Sequence, residues 1–260
     1  MTTMVTFAYI ILGFFAFFIG GSIFSFLNVI VYRMPRKISF LKGRSFCTGC
    51  QHSLSMLDMI PVFGYVLLKG RCRYCHQRIS IRYPLVEAFG GLLAVCTVVQ
   101  FGFTGKGVCV FVLLCILTVI SLIDWDIMEI YDRMNLLVLV IGCISAFFFP
   151  EISLMERIVG FFSVSLPMLI LTLIIPDAFG GGDIKLMAGC GVFLGWKNNL
   201  TALFLAILMG GIYGSWLLLQ KKKDRKDHFA FGPFLCVGVA ASIFIGTALR
   251  NWYFGCLFWM

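Results

Sequence analysis

Residues 4–32 read MVTFAYIILGFFAFFIGGSIFSFLNVIVY, a run of 29 with no Asp, Glu, Lys or Arg. About 20 apolar residues suffice to carry a helix across a bilayer. The run is too long for the apolar core of a signal peptide and has neither a basic leader nor a small-residue cleavage site, so it is expected to stay as a first membrane helix. Outward from it, apolar segments recur at about 85–103, 108–123, 134–149, 158–175, 186–196, 200–219 and 234–249, which makes eight in all. Several fall short of a full span, 186–196 most of all, so polar neighbours must extend them.

The whole chain agrees with this reading. Of 260 residues, 60% are hydrophobic and 13% charged, and the mean hydropathy is +0.98, far from a soluble globular profile. The net charge of +9 invites a nucleic-acid reading, but loops rich in Lys and Arg also stay on the cytoplasmic side of a membrane. With eight spans and the N-terminus outside, ten basic residues in 33–82, Arg133, Lys185 and five in 221–226 fall inside. Only Lys106, Arg157, Lys197 and Arg250 fall outside. The bias accounts for the charge without nucleic acid as a partner. The expectation is an all-α polytopic membrane protein of about eight transmembrane helices in the lipid bilayer, with a small cytoplasmic domain over 33–83 between helices 1 and 2. No internal repeat or low-complexity linker stands out.

That polar stretch is too long for an ordinary connection and carries Cys47-Thr48-Gly49-Cys50 and Cys72-Arg73-Tyr74-Cys75. Two-residue spacing lets both thiolates of a knuckle reach one tetrahedral metal. A cytoplasmic loop stays reducing, which favours metal over disulfide. Four thiolates fill the coordination shell and leave no position for a reacting water, so a structural zinc in a zinc-ribbon-like domain is expected. His52 and His76 stand nearby as substitutes. The other seven cysteines lie singly in or beside apolar segments, where a thiol packs as a small hydrophobe.

Two acidic features fall on one face in this topology. Four acids, Asp124, Asp126, Glu129 and Asp132, lie within nine residues at the end of the third span, where the inside loop favours Lys or Arg. Asp124 follows the apolar run directly, and the other three read as a solvated face. The second feature is Phe179-Gly180-Gly181-Gly182-Asp183-Ile184-Lys185, in which glycines let backbone approach closely and a carboxylate follows. It can be a plain turn capped by Asp183, but an ionisable residue at a membrane boundary is a functional candidate by default. Two carboxylates sharing a partly desolvated site do not both ionise easily, so one can hold a proton while the other acts as base. Such a pair can activate water against a peptide carbonyl and protonate the leaving amine.

These residues resemble the type IV prepilin peptidases. Gly21-Ser22-Ile23-Phe24-Ser25-Phe26-Leu27-Asn28-Val29 through Arg33-Met34-Pro35 is a slightly expanded form of the family's N-terminal GSFLNV…R-x-P signature. Gly43-Arg44-Ser45, Ile60-Pro61, Leu68-Lys69-Gly70-Arg71-Cys72, Ile79-Ser80 and Tyr83-Pro84-Leu85-Val86-Glu87 are similar to its cytoplasmic domain. Residues 180–186 match GGGD-x-K-L, and Phe231-Gly232-Pro233-Phe234 matches a late FGPF. The resemblance implies a GxGD-class aspartic endopeptidase in the bacterial inner membrane, its active site facing the cytoplasm, that removes the leader of type IV prepilin or pseudopilin precursors. The catalytic pair falls on Asp124, in I-D-x5-I-P-D, and on Asp183.

The domains then read as a membrane helix over 1–32, a zinc-binding domain over 33–83 and a transmembrane aspartic peptidase domain over 84–260. Tyr131 stands where the family has proline, which leaves the local turn open. CTGC replaces the usual CPxC, and Met59 stands where asparagine is common. Many relatives also methylate the new α-amino group with S-adenosylmethionine. No nucleotide loop marks that activity here, and its implied seat is the cytoplasmic domain with Asn28, which can equally be an interhelical hydrogen-bond donor. The rival classes are an ion-coupled transporter, since broken helices with glycine-flanked acids also bind ions, and a non-enzymatic assembly scaffold. The first places its acids near the midplane, and the second leaves both acidic features unexplained.

Overall fold

A computed structural model of the chain describes residues 2–39, 46–47, 49–55, 57–176, 178–220 and 229–258. Gly43-Arg44-Ser45, Thr48 and the basic loop at 221–226 lie outside the described residues. In chain order the helices are α1 (Thr2–Arg33), α2 (Phe63–Leu67), α3 (Arg82–Phe101), α4 (Gly105–Ile127), α5 (Asp132–Phe148), α6 (Leu154–Ile174), α7 (Gly181–Leu219) and α8 (Gly232–Phe258), with a 3₁₀ turn at Leu57–Met59. Among the described residues β pairing is confined to two isolated bridges in the segment between α1 and α3.

Six of these helices are long and apolar enough to cross a membrane, and the protein is a multi-pass helical membrane protein. Among the described residues α7 breaks at Gly195, which divides it into two of the eight apolar segments read from the sequence. The 134–149 segment forms the 17-residue α5, which is not one of those six. The helices also run past their apolar limits. Asp124 lies inside α4 near its end, and Asp183 lies in the first turn of α7. Apolarity marks what meets lipid or core, whereas the backbone ladder continues until the end groups find other partners.

The chain forms two compact units, Met1–Phe111 and Val112–Met260. In the first, α1 packs along α3 through small residues that let backbones approach, the usual device where lipid removes the hydrophobic drive between helices. A Cβ on Gly20 would stand 2.6 Å from the Gly90 carbonyl oxygen, and one on Gly21 would meet Pro61 at 3.1 Å. The adjacent glycines therefore serve two contacts, one to α3 and one to the loop before α2.

In the second unit α5, α6 and α8 all pack against α7. Gly160 on α6 and Gly191 on α7 touch backbone to backbone, each leaving no room for a Cβ. Gly195 has φ 71° and ψ 167°, a conformation open to glycine and strained for other residues. The break frees carbonyls that need partners in a dry interior. Arg157, 3% exposed, answers this. Its guanidinium donates to Val192 O on α7 at 2.8 Å, to Phe149 O after α5 at 3.0 Å and to Ser145 Oγ at 2.8 Å. A cation thus closes two helix ends at once, where the macrodipoles also favour it. The charge count from sequence treats Arg157 as a loop residue, whereas the fold uses it as a buried clasp.

Replacing Arg157 by Met keeps the apolar stem and leaves several buried acceptors unpaired, each costing about 1–3 kcal/mol. Arg157→Met is therefore expected to lower the melting temperature in detergent by several degrees, with Arg157→Lys in between. An unchanged melt for the Met variant would remove the clasp from this account.

Candidate functional site

α4 stops where Met128 enters the left-handed region (φ 56°) and its N–H closes on Asp124 O at 2.8 Å. Glycine is the usual residue for such a stop. Tyr131 then caps α5 in extended conformation, φ −72° and ψ 132°. Proline fixes φ near that value, so tyrosine here follows the path the family's proline would impose. Between them Ile130 wedges against the starts of α7 and α8. A Cβ on Gly182 would lie 2.8 Å from Ile130 Cβ, and one on Gly232 would lie 3.1 Å from its Cδ1.

These contacts bring the end of α4 together with the N-termini of α7 and α8. Asp124 is 5% exposed and Asp183 is 9% exposed, and the charge of Asp124 reaches Asp183. Asp124 Oδ2 accepts a hydrogen bond from Gly232 N at 3.0 Å, and a Cβ at that glycine would stand 2.6 Å from the same oxygen. Gly232 therefore lets α8 present its amide at the carboxylate. Asp183 donates its own N–H to Gly180 O at 3.0 Å, and its Oδ1 is buried with no hydrogen-bond partner among the described residues. Asn135 Nδ2 donates to Gly182 O at 3.1 Å and fixes the start of α7 to α5.

Of the remaining acids, Asp126 and Glu129 are exposed. Asp132 meets Lys185 at 2.7 Å, with the two side chains 74% and 58% exposed, so the pair contributes little to stability. A chain of aromatic contacts adjoins the two aspartates. Phe179 meets Phe231 at 5.8 Å between ring centroids, and Phe234 meets Tyr213 at 5.3 Å. Gly232 and Asn135 carry no functional signal of their own in the sequence. The first lies in the FGPF motif, and the second reads as one polar residue in an apolar run.

The four paired cysteines also converge. Cys47, Cys50, Cys72 and Cys75 place their sulfurs within 4.8 Å of one another, and Cys47 Sγ lies 3.8 Å from Cys75 Sγ. The two knuckles share one hydrogen-bond pattern. Cys47 N donates to His52 O and Cys72 N to Gln77 O, both at 2.9 Å, while Gln51 N and His76 N return to Cys47 O and Cys72 O. Gln51 and His76 each take positive φ. A bridge closes each knuckle, Phe46 with Ser53 and Arg71 with Arg78. The segment is thus a zinc-ribbon-like fold of two matched halves.

Neither histidine joins the cluster, and His52 instead lies against Tyr74, the rings tilted by 38° with centroids 3.6 Å apart. The Cys50 backbone N–H leads in drawing the Cys47 thiol down to about 7. At Cys75 the Gln77 amide pulls down, but desolvation and the other three thiols lift the group to about 11. A tetrahedral metal with bonds of about 2.3 Å sets its sulfurs about 3.8 Å apart, so this donor set fits one. Beside it, burial opposes the charge of Asp58, yet Ser55 and Arg73 hold its carboxyl below the usual range, with Arg73 at 2.7 Å.

Fold and site together define a multi-pass membrane protein with two buried aspartates at meeting helix ends and a separate four-cysteine domain. Residues 18–101 match the Bacterial Peptidase A24 N-terminal domain, and residues 111–215 match the Type IV leader peptidase family. A prepilin leader peptidase/N-methyltransferase of Legionella pneumophila is 31% identical, covering 98% of this chain and 96% of its own length. Proteins of the same name from Pseudomonas putida and Bacillus subtilis (strain 168) are 30% and 27% identical, covering 84% and 91% of this chain and 85% and 96% of their own. No solved structure matches the chain. The chain belongs to the type IV leader peptidase family.

From the thiol geometry, the purified protein is expected to carry about one tightly bound metal ion per chain, read by elemental analysis. Cys47→Ser combined with Cys50→Ser should release it and lower the melting temperature. Full metal content in the double variant would rule out the four-cysteine site.

Proposed function

We propose that this protein is an aspartic endopeptidase of the bacterial inner membrane that removes the leader peptide of type IV prepilin or pseudopilin precursors at the cytoplasmic face. We further propose that it methylates the new N-terminus. The supporting observation is the pair of buried carboxylates, Asp124 and Asp183, carried by different helices and drawn together at their ends. The relatives' names supply the substrate class and the second activity.

In this reading one carboxyl of the pair holds a proton and the other is ionised. The ionised group takes a proton from water as it attacks the scissile carbonyl, and the protonated one polarises that carbonyl and then passes a proton to the departing amine. The Gly232 amide orients Asp124, and Asp183 Oδ1, which has no partner among the described residues, is the acceptor open to water or substrate. The buried setting strengthens each of these interactions. Neither metal nor nucleophilic serine is needed for the step.

The metal of the four-cysteine cluster is zinc in this account, with Cys47, Cys50, Cys72 and Cys75 as ligands and a structural role. It would tie together two loops that have little core of their own. S-adenosylmethionine, when bound, would supply the methyl group.

Asp124→Asn and Asp183→Asn preserve shape but can serve neither as base nor as proton donor. Each is expected to reduce cleavage of a prepilin peptide by roughly a thousandfold or more while expression and metal content stay normal. Asp126, Glu129 and Asp132 should tolerate Asn or Gln with activity retained. Normal cleavage by either dyad variant would sink the proposal and leave the transporter class to be tested.

A further inference from the structure

The short helix α2 reads Phe63-Gly64-Tyr65-Val66-Leu67, and Phe63, Val66 and Leu67 are 50%, 64% and 73% exposed. Apolar side chains exposed together mark a place that something covers. The Phe63 ring stacks on Phe18 of α1 with centroids 5.7 Å apart, and Phe18 lies 4.6 Å from Phe14. Phe14, Phe15 and Ile19 are themselves exposed on α1. Since α1 is long and apolar enough to cross a membrane, that face of it meets lipid. α2 continues the same lipid-facing surface.

Straight after α2 the surface turns basic. An open hollow of about 590 Å³ joins Leu67 and Leu68 to Lys69, Arg71, Arg73 and His76. The stretch 33–83 holds ten Lys and Arg against a single acid, Asp58, and Asp58 is spent on Arg73 at 2.7 Å. Lys69 and Arg71 are exposed and have no ion pair among the described residues. The turn that carries them is fixed. Lys69 and Gly70 take φ of 50° and 69°, a path that lysine rarely adopts, and such strain gathers at ligand sites. Gly70 N donates to Tyr65 O at 2.9 Å and Arg71 N to Leu68 O at 3.1 Å. A Cβ on Gly70 would stand 2.9 Å from the Tyr65 ring. Two cations are therefore held at a set reach from an exposed apolar helix.

We propose that α2 and this hollow form a binding site for an anionic phospholipid at the bilayer surface. Phe63, Val66 and Leu67 lie among the acyl chains, and Lys69 and Arg71 hold the phosphate-bearing headgroup. Elements of this kind bind through apolar area together with attraction to anionic lipid. A phospholipid of net negative charge matches both halves of the site and is present wherever α1 crosses a bilayer. An acidic peptide or a nucleic acid would satisfy the cations and leave the α2 face bare. A zwitterionic lipid brings the same chains and phosphate with a cation that Lys69 and Arg71 repel, so the site selects on net charge. Its occupant ties the cysteine domain to the membrane surface. The site uses neither aspartate and stands or falls apart from the activities proposed above.

The test uses the purified full chain in neutral detergent, with phosphatidylglycerol, phosphatidylcholine of the same acyl chains and inorganic phosphate as probes. Native mass spectrometry counts the lipid retained per chain, while metal content and melting temperature report an intact cysteine domain. The parent should retain phosphatidylglycerol about tenfold better than phosphatidylcholine. Lys69→Asn, chosen because asparagine tolerates positive φ, combined with Arg71→Gln should bring that ratio to about one. Val66→Ser with Leu67→Ser should weaken both lipids about tenfold and keep the preference. A parent that treats the two lipids alike, or a charge variant that keeps the preference, overturns the proposal. If inorganic phosphate displaces phosphatidylglycerol while the serine variant binds as the parent does, the hollow takes phosphate alone and the lipid assignment is likewise overturned. Should the paired charge change release metal, Arg71→Gln alone leaves the strained turn untouched and should lower the preference about threefold. An unchanged ratio in that variant overturns the assignment.

Discussion

An ionisable side chain withdrawn from water inside a membrane protein is expensive, and two carboxylates side by side are more so. The second unit is built around meeting that cost. Asp124 reaches the pair from the last turns of α4 and Asp183 from the first turn of α7, while α8 brings its Gly232 amide to Asp124. The amides of a helix N-terminus are where a negative charge is best tolerated. The fold therefore sets both acids at helix N-termini, Asp183 in the first turn of α7 and Asp124 against the first amide of α8, and not in mid-span. Glycine at 182 and at 232 is what the geometry demands, because a Cβ at either would collide with Ile130 or with Asp124 itself.

Convergence of helix ends at one side requires rigidity elsewhere. α7 is in contact with α5, α6 and α8, so its path sets where Asp183 sits. The break at Gly195 and the clasp by Arg157 fix that path from the other end of the first helical run. Asn199 adds to this through its amide, which donates to Gly160 O at 3.1 Å and Met187 O at 3.2 Å. Polar side chains that span packed helices in this way are spent on backbone carbonyls, whereas Asp183 Oδ1 finds no hydrogen-bond partner among the described residues.

What could be read from the sequence follows how locally each feature is encoded. The cysteine pairs are legible because knuckle spacing is a local constraint. Asp124 and Asp183 are legible because an acid bordering a long apolar run contradicts its surroundings. Tyr131 could not be resolved from sequence, since only the backbone angle shows that tyrosine occupies the path of a proline. Gly195 is one glycine within an apolar stretch, and Arg157 carries the same letter as a loop arginine. Their roles depend on which carbonyls lie near them in space. Asn28 reads as an interhelical donor, yet its Nδ2 finds no partner among the described residues, and Glu87 is tied to Val62 across 25 residues.

The claim on which the account turns is that Asp124 and Asp183 work as one coupled acid–base pair. The dependence of kcat/KM on pH for leader cleavage by the intact protein tests it most directly. A coupled pair is active only with one proton shared between the two groups, so the rate should fall on the acid side as both become protonated and on the alkaline side as both ionise. The account predicts that bell-shaped profile. A rate that rises with pH to a plateau and stays there would mean that only a single ionised group is required, and would contradict it.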